Sequence, residues 1–136
     1  MEQKSIAGSC LCGAVRFEIK PPLAGFRYCH CSRCRKATGA AHAANIFVPQ
    51  SQLTWLAGEA LVRRFDLPGA KRFAVCFCTQ CGTRMPHKIA TTENYLVPAG
   101  CLDASPEERP DGSIFWGSRA QWYVETQALP KHEEYK

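Results

Sequence analysis

Val15, Phe17 and Ile19 alternate with Arg16 and Glu18. A period of two predicts a half-buried strand over GAVRFEI. Pro21 and Pro22 end it, because proline cannot donate to a strand ladder. The same short rhythm recurs along the chain. Further candidate strands are Phe26 to Cys29, Asn45 to Val48, Leu53 to Leu56, Leu61 to Phe65, Arg72 to Phe77, Asn94 to Ala99 and Gln121 to Glu125. Glycine and proline separate most of them, at Pro49, Gly58, Pro68, Gly69, Gly82, Pro86 and Gly100. One stretch breaks the rhythm. SRCRKATG reads as a helix of barely two turns, with Ser32 as N-cap and Gly39 as stop. The pattern therefore predicts a mainly β fold of short antiparallel strands with one short helix. No Ser/Gly-rich linker divides the chain, so residues 1–136 are expected to form one domain with its core at about 8–130. Ser105 to Gly112 is the expected mobile loop, and the tail KHEEYK is expected to fray.

Bulk properties narrow the picture modestly. The chain has 136 residues, 46% hydrophobic and 21% charged, ordinary values for a globular protein with one main core. No run approaches the ~18 apolar residues of a membrane-spanning helix. The N-terminal stretch lacks the apolar segment of a secretory leader. The expectation is a cytoplasmic protein with no membrane partner. A formal charge of +5 raises the question of nucleic acid. The basic residues are scattered, however, in groups such as Arg63 with Arg64 and Lys71 with Arg72. An ordinary solvated surface is the better reading than a nucleic-acid footprint.

The cysteines change the picture most. There are nine. Cys10 and Cys12 lie in GSCLCG, Cys29, Cys31 and Cys34 in CHCSRC, and Cys76, Cys78 and Cys81 in CFCTQC, while Cys101 stands alone. An odd count argues against a fully paired disulfide framework, and a C-x-C pair would close a strained ring. Clustered thiols in a reducing compartment point to metal. On a strand, residues i and i+2 share a face, so C-x-C presents two sulfurs side by side. A C-x-x-C turn folds two sulfurs toward one point, and a following glycine admits the positive φ such turns need. Gly13 and Gly82 supply it after Cys12 and Cys81; Arg35 follows Cys34 instead.

Ligand arithmetic then divides the set. Cys10 and Cys12 with Cys78 and Cys81 make a closed four-cysteine site. Cys29, Cys31 and Cys34 make a site one ligand short of four. Cys76 could replace Cys10 or Cys12, and Cys101 could complete the triad. Both read better as small buried hydrophobes. If seven cysteines bind two Zn²⁺ as thiolates, seven negative and four positive charges take the net from +5 to about +2. A thioredoxin-like role for Cys78 and Cys81 lacks the βαβ pattern it needs. His30, His42, His87 and His132 read as surface or hydrogen-bonded side chains, with His30 facing away from the metal of its neighbours and His42 able to reach it.

These blocks resemble the glutathione-dependent formaldehyde-activating enzymes, which share a domain with centromere protein V. GSCLCGAVRFEI, CHCSRCRKATGA, FCTQCGTRM and Gly100 to Asp103 carry the resemblance in order, with AQWYVETQALP similar to its closing region. It runs from Gly8 to about Pro130. The resemblance implies tent-like β-sheets around two zinc ions. It implies Cys10, Cys12, Cys78 and Cys81 as structural ligands and Cys29, Cys31 and Cys34 as ligands of a second, catalytic-type zinc, leaving out Cys76 and Cys101; the open coordination of that three-cysteine site is what would make its zinc the more labile. The implied activity joins glutathione to formaldehyde and is classed with the carbon–sulfur lyases.

A zinc ion can hold a thiol as thiolate or polarise an aldehyde oxygen. A thiolate-rich shell weakens its Lewis acidity and favours the first role. Arg33, Arg35 and Lys36 could meet the carboxylates of an acidic thiol such as glutathione, or form a solvated helix face. Two other readings use the same residues: a thiol-binding or scavenging module without catalysis, and a zinc-stabilised interaction domain. A sheet edge could pair with a second copy, and no residue pattern decides it.

Overall fold

Eleven strands and one α-helix organise residues 4–135, the part of the chain described by a computed structural model. Residues 1–3 and 136 lie outside it, and with them the first residues of the N-terminal stretch and the last of the polar tail. In chain order the elements are β1 (Ile6–Ser9), β2 (Arg16–Ile19), β3 (Gly25–Cys29), α1 (Ser32–Thr38), β4 (Ala43–Pro49), β5 (Leu53–Ala57), β6 (Val62–Asp66), β7 (Ala74–Cys78), β8 (Arg84–Met85), β9 (His87–Lys88), β10 (Asn94–Pro98) and β11 (Ser113–Ile114). They form three sheets, ordered β1-β2-β5, β11-β3-β4-β10-β9 and β6-β7-β8. The mainly β class with one short helix is as the hydrophobic pattern predicts.

The alternation at residues 15–19 works as expected. Val15, Phe17 and Ile19 are fully buried, and Arg16 between them is exposed. They join Ile46 and Val48 of β4 and Val97 of β10 in one apolar cluster that also takes in Cys76, Cys78 and Cys101. Phe17 meets Trp55 of β5 edge to face, with ring centroids 6.0 Å apart. Its ring also lies under Gly8 of β1, where a Cβ would overlap it. Gly8 therefore sets how closely β1 can lie over the core.

The structure differs from the sequence pattern in four places. β8, β9 and β11 have two residues each, too few for a period to register, and β1 (IAGS) lacks an alternation of hydrophobic and polar side chains. β11 pairs with β3 in parallel, because the irregular chain after β10 crosses back before it joins the sheet edge. Gln121 to Glu125 is not a strand, and all of it but Tyr123 is exposed. Trp122 and Val124 face outward and Tyr123 packs on rings rather than on a partner strand. The segment Ser105 to Gly112 is irregular yet tied down. Asp111 donates its N–H to the Phe26 carbonyl at 2.8 Å, Tyr28 donates to the Gly112 carbonyl at 3.0 Å, and Leu23 donates to Glu108 Oε2 at 2.9 Å. No helix among the described residues is long and apolar enough to cross a membrane.

Candidate metal centres

Two turns of matching construction begin the first centre. In the β1–β2 turn the Gly13 N–H donates to the Cys10 carbonyl at 3.0 Å, and the Cys10 N–H donates to the Val15 carbonyl at 3.1 Å. After β7 the Gly82 N–H donates to the Cys78 carbonyl at 2.7 Å, and the Cys78 N–H donates to the Thr83 carbonyl at 2.9 Å. Each turn closes on the carbonyl of its first cysteine and returns five residues on. Gly13 and Gly82 have φ of 80° and 77°, which a side chain would oppose. The turns are stitched together where the Leu11 N–H reaches Thr83 Oγ1 at 3.0 Å.

This construction gathers the sulfurs of Cys10, Cys12, Cys78 and Cys81 within 4.8 Å of one another. Cys10 and Cys12 are 3.5 Å apart, and Cys12 and Cys78 are 4.0 Å apart. Tetrahedral zinc with 2.3 Å bonds would place sulfurs about 3.8 Å apart, so the group fits such an ion. Its thiols are also sharply polarised. The hydroxyl of Thr83 at 3.2 Å, helped by backbone N–H groups, holds Cys81 down to about 5. At Cys12 a backbone bond to Ala14 favours the thiolate, but the sulfurs of Cys10, Cys81 and Cys78 outweigh it and push the thiol up to about 11. Four thiols so close cannot all ionise unless a cation sits among them.

The second centre comes from the end of β3 and the start of α1. The sulfurs of Cys29, Cys31 and Cys34 also lie within 4.8 Å of one another, and no fourth cysteine, histidine or carboxylate among the described residues joins them. Cys31, not Ser32, is the N-cap of α1; its sulfur accepts the Cys34 N–H at 3.3 Å. One sulfur thus caps the helix and faces the metal position. Burial pushes the Cys34 thiol far above its ordinary value, reinforced by the sulfurs of Cys29 and Cys31. Burial likewise raises Cys29.

Helix α1 buries none of its own residues, so an apolar face does not hold it. Caps and one side chain do. Gly39 ends it in the left-handed conformation, its N–H on the Arg35 carbonyl. Arg84 of β8 donates its guanidinium to the Ala37 carbonyl, while Cys101 donates its thiol to the Arg84 carbonyl at 2.8 Å. Arg84 therefore couples α1 to the strand that follows the first centre. Nothing in its sequence context signals this. Cys76 and Cys101 lie outside both groups and are buried.

Two of the four histidines, His30 and His87, depart from the expected surface or hydrogen-bonded character, while His42 Nδ1 meets the Ala43 carbonyl at 3.1 Å. His30 is fully buried, and neither ring nitrogen has a partner among the described residues. Its ring sits 4.9 Å from His42, 5.0 Å from Trp116 and 5.2 Å from Tyr123. The chain returning beside β3 roofs this cluster, with the His30 N–H on the Ile114 carbonyl at 3.0 Å. His42 stacks on Tyr28 and joins neither metal group. His87 is buried too, and burial lowers its imidazole to about 4. It stands neutral at neutral pH. His132 is exposed.

Of the three cations read as substrate contacts, the structure separates the roles. Arg33 lines a cleft of about 480 Å³ that reaches Cys34. Arg35 turns its Nε to the His30 carbonyl at 3.3 Å. Lys36 is exposed on α1 and lines no cavity beside Cys34. Opposite Arg33 the cleft is lined by Lys71, Arg72 and Phe73, and a smaller apolar cavity between Cys34, Cys76, Arg84 and His87 adjoins it.

Comparison with known proteins agrees with this geometry. The family model described as glutathione-dependent formaldehyde-activating enzyme matches residues 5–118. A crystal structure of a Rhodobacter sphaeroides protein superposes with a TM-score of 0.60 at 26% identity, covering 79% of this chain and 98% of that one. No curated protein matches the sequence.

Proposed function

The chain belongs to the glutathione-dependent formaldehyde-activating enzyme family, and from that premise we propose that it joins a thiol to an aldehyde, with glutathione and formaldehyde as reactants. In this reading Cys10, Cys12, Cys78 and Cys81 hold a structural zinc ion. Cys29, Cys31 and Cys34 would hold a second zinc ion, to which the described residues offer three ligands. A zinc ion there would let a substrate thiol be held as thiolate at neutral pH. The remaining work falls to the chain. Arg33 meets the acidic end of the thiol, and Phe47, Phe73 and Leu96 shield the cleft wall from water. The sulfur bonds to the carbonyl carbon, the carbonyl π pair moves to oxygen, and the thiol proton ends on that oxygen. Run backwards, the same step breaks a carbon–sulfur bond, which makes the activity lyase-like. A reducing cytoplasmic compartment suits nine free thiols.

One observation carries the reading: three sulfurs converge with no fourth protein ligand among the described residues, beside a cleft large enough for a small peptide. Formaldehyde adds to thiols unaided, so the measurement is adduct formation above the buffer rate. The expected result is saturable acceleration with glutathione that Cys31→Ala abolishes while the four-cysteine metal and the circular dichroism spectrum persist. Tight thiol binding with no acceleration would overturn the enzymatic reading and leave a thiol-binding module.

A further inference from the structure

The smaller cavity, of about 80 Å³, lies between β4, β10 and β7, with Cys34 in its wall. The sheet register decides which side chains enter it. Cys29 of β3 lies opposite Ala43 of β4, so Asn45, two residues on, shares its face. Phe47 follows on that face, opposite Leu96 of β10, and Leu96 lies opposite His87 of β9. Asn45 and His87 are thus carried on the sheet face that also carries Cys29. Both are buried, at 8% and 7% exposure, and both line the cavity. Neither side chain has a hydrogen-bond partner among the described residues, yet their polar atoms are not sealed off as those of His30 are. Unpartnered polar groups in a mostly apolar wall are costly, so the pair calls for a hydrogen-bonding occupant.

The donors define that occupant. Asn45 offers an amide N–H. His87, which burial holds neutral at neutral pH, offers one imidazole N–H. Arg84 adds positive charge to the same wall, and no carboxylate lines it. Such a site favours an oxygen that gains negative charge. We propose that Asn45 and His87 bind the aldehyde oxygen, two N–H donors that hold it while sulfur attacks the carbonyl carbon beside Cys34. The inference rests on the reading of Cys29, Cys31 and Cys34 as a thiol-accepting centre. It adds where the second reactant sits and which side chains meet it. As the carbon–sulfur bond forms, the π pair moves onto oxygen, and charge grows where the two donors already stand. Both side chains keep their protons; the proton given up by the thiol completes the hydroxyl. Water serves the pair until a carbonyl oxygen takes its place. Size adds a limit. Benzene needs a cavity of about 150 Å³, so this one admits small aliphatic aldehydes and turns away benzaldehyde.

Two measurements on the zinc-loaded full chain test the pair. Formamide is an unreactive carbonyl of suitable size. In NMR it should shift the Asn45 side-chain amide and His87 imidazole N–H signals saturably. In adduct formation from glutathione and formaldehyde, Asn45→Leu and His87→Phe should each lose about 100-fold in kcat, with KM for glutathione unchanged. His87→Gln, which keeps an N–H, should lose less than His87→Phe. Formamide that shifts neither signal overturns the proposal, and so does native kcat in both Asn45→Leu and His87→Phe. No acceleration by the native chain, with formamide still shifting both signals, upholds the oxygen-binding pair and overturns the thiol–aldehyde reaction instead. Metal content and circular dichroism verify that the variants fold, and the formamide titration needs no variant.

Discussion

Cys76 and Cys78 sit two residues apart on one face of β7, both buried, yet they differ in what surrounds them. Cys78 is within sulfur range of Cys12, whereas Cys76 packs among apolar neighbours and lines the cavity near Cys34. Cys78→Ala should remove one equivalent of metal and unfold much of the chain. Cys76→Ala should keep full metal content and cost about 1 kcal/mol through a small cavity. Metal analysis paired with thermal unfolding checks both; loss of metal in Cys76→Ala would refute the division. At this scale the chemistry was legible where it is local. C-x-C, C-x-x-C and their glycines are visible as spacing, and both glycines take the positive φ that spacing asks for. His30, His87, Lys71, Arg72 and Arg84 were not legible as site residues. Their surroundings come from segments tens of residues away, as when Ile114 and Tyr123 enclose His30.

Helix α1 shows how an element can form without a buried face. Seven residues are too few for a stable isolated helix. The Cys31 sulfur, the Gly39 stop and the Arg84 guanidinium fix it from both ends and one side. Arg84→Met keeps the aliphatic stem and deletes the donor. The expected consequence is a loss of about 10- to 100-fold in metal affinity at Cys29, Cys31 and Cys34, with the four-cysteine group unchanged. Chelator competition monitors the two ions separately, and equal weakening of both would contradict the coupling. The stop at Gly39 is legible in the sequence, but the start points to Ser32 rather than Cys31, since serine caps through oxygen and cysteine is rarely considered. Strands with four or more alternating residues, such as β2 and β4, were legible. The two-residue strands β8, β9 and β11 were not, because their pairing partners rather than their sequences create them. Gln121 to Glu125 shows the converse: strand-favouring residues such as Trp122, Tyr123 and Val124 form no strand where none pairs with them.

Across the molecule the two sulfur groups differ in how they compete with protons. Each group mixes lowered and raised thiols: Cys81 is held down to about 5 and Cys12 pushed up to about 11 in one, while Cys31 is lowered and Cys29 and Cys34 are raised in the other. The number of ligands decides instead: protonating one sulfur leaves three in the closed group but only two in the open one, and metal leaves with that uptake. On acid titration from neutrality, the three-cysteine group should therefore release its ion at higher pH than the four-cysteine group. A zinc-sensitive dye should record two steps; one merged step would refute the order. Sheet order and the cleft between α1 and the β6–β7 hairpin are properties of this scale, and no stretch of sequence announces either. The spacing of the two groups along the chain has a further consequence for biosynthesis. Cys29, Cys31 and Cys34 lie inside the segment bounded by Cys12 and Cys78. A ribosome making roughly 5–20 residues per second leaves several seconds between Cys34 and Cys81. During that interval the nascent chain displays a finished metal-binding triad, while half of the other group has yet to be synthesised. On the proposed reading, metal would meet these three sulfurs first, and the pairing of Cys10 and Cys12 with Cys78 and Cys81 would come last.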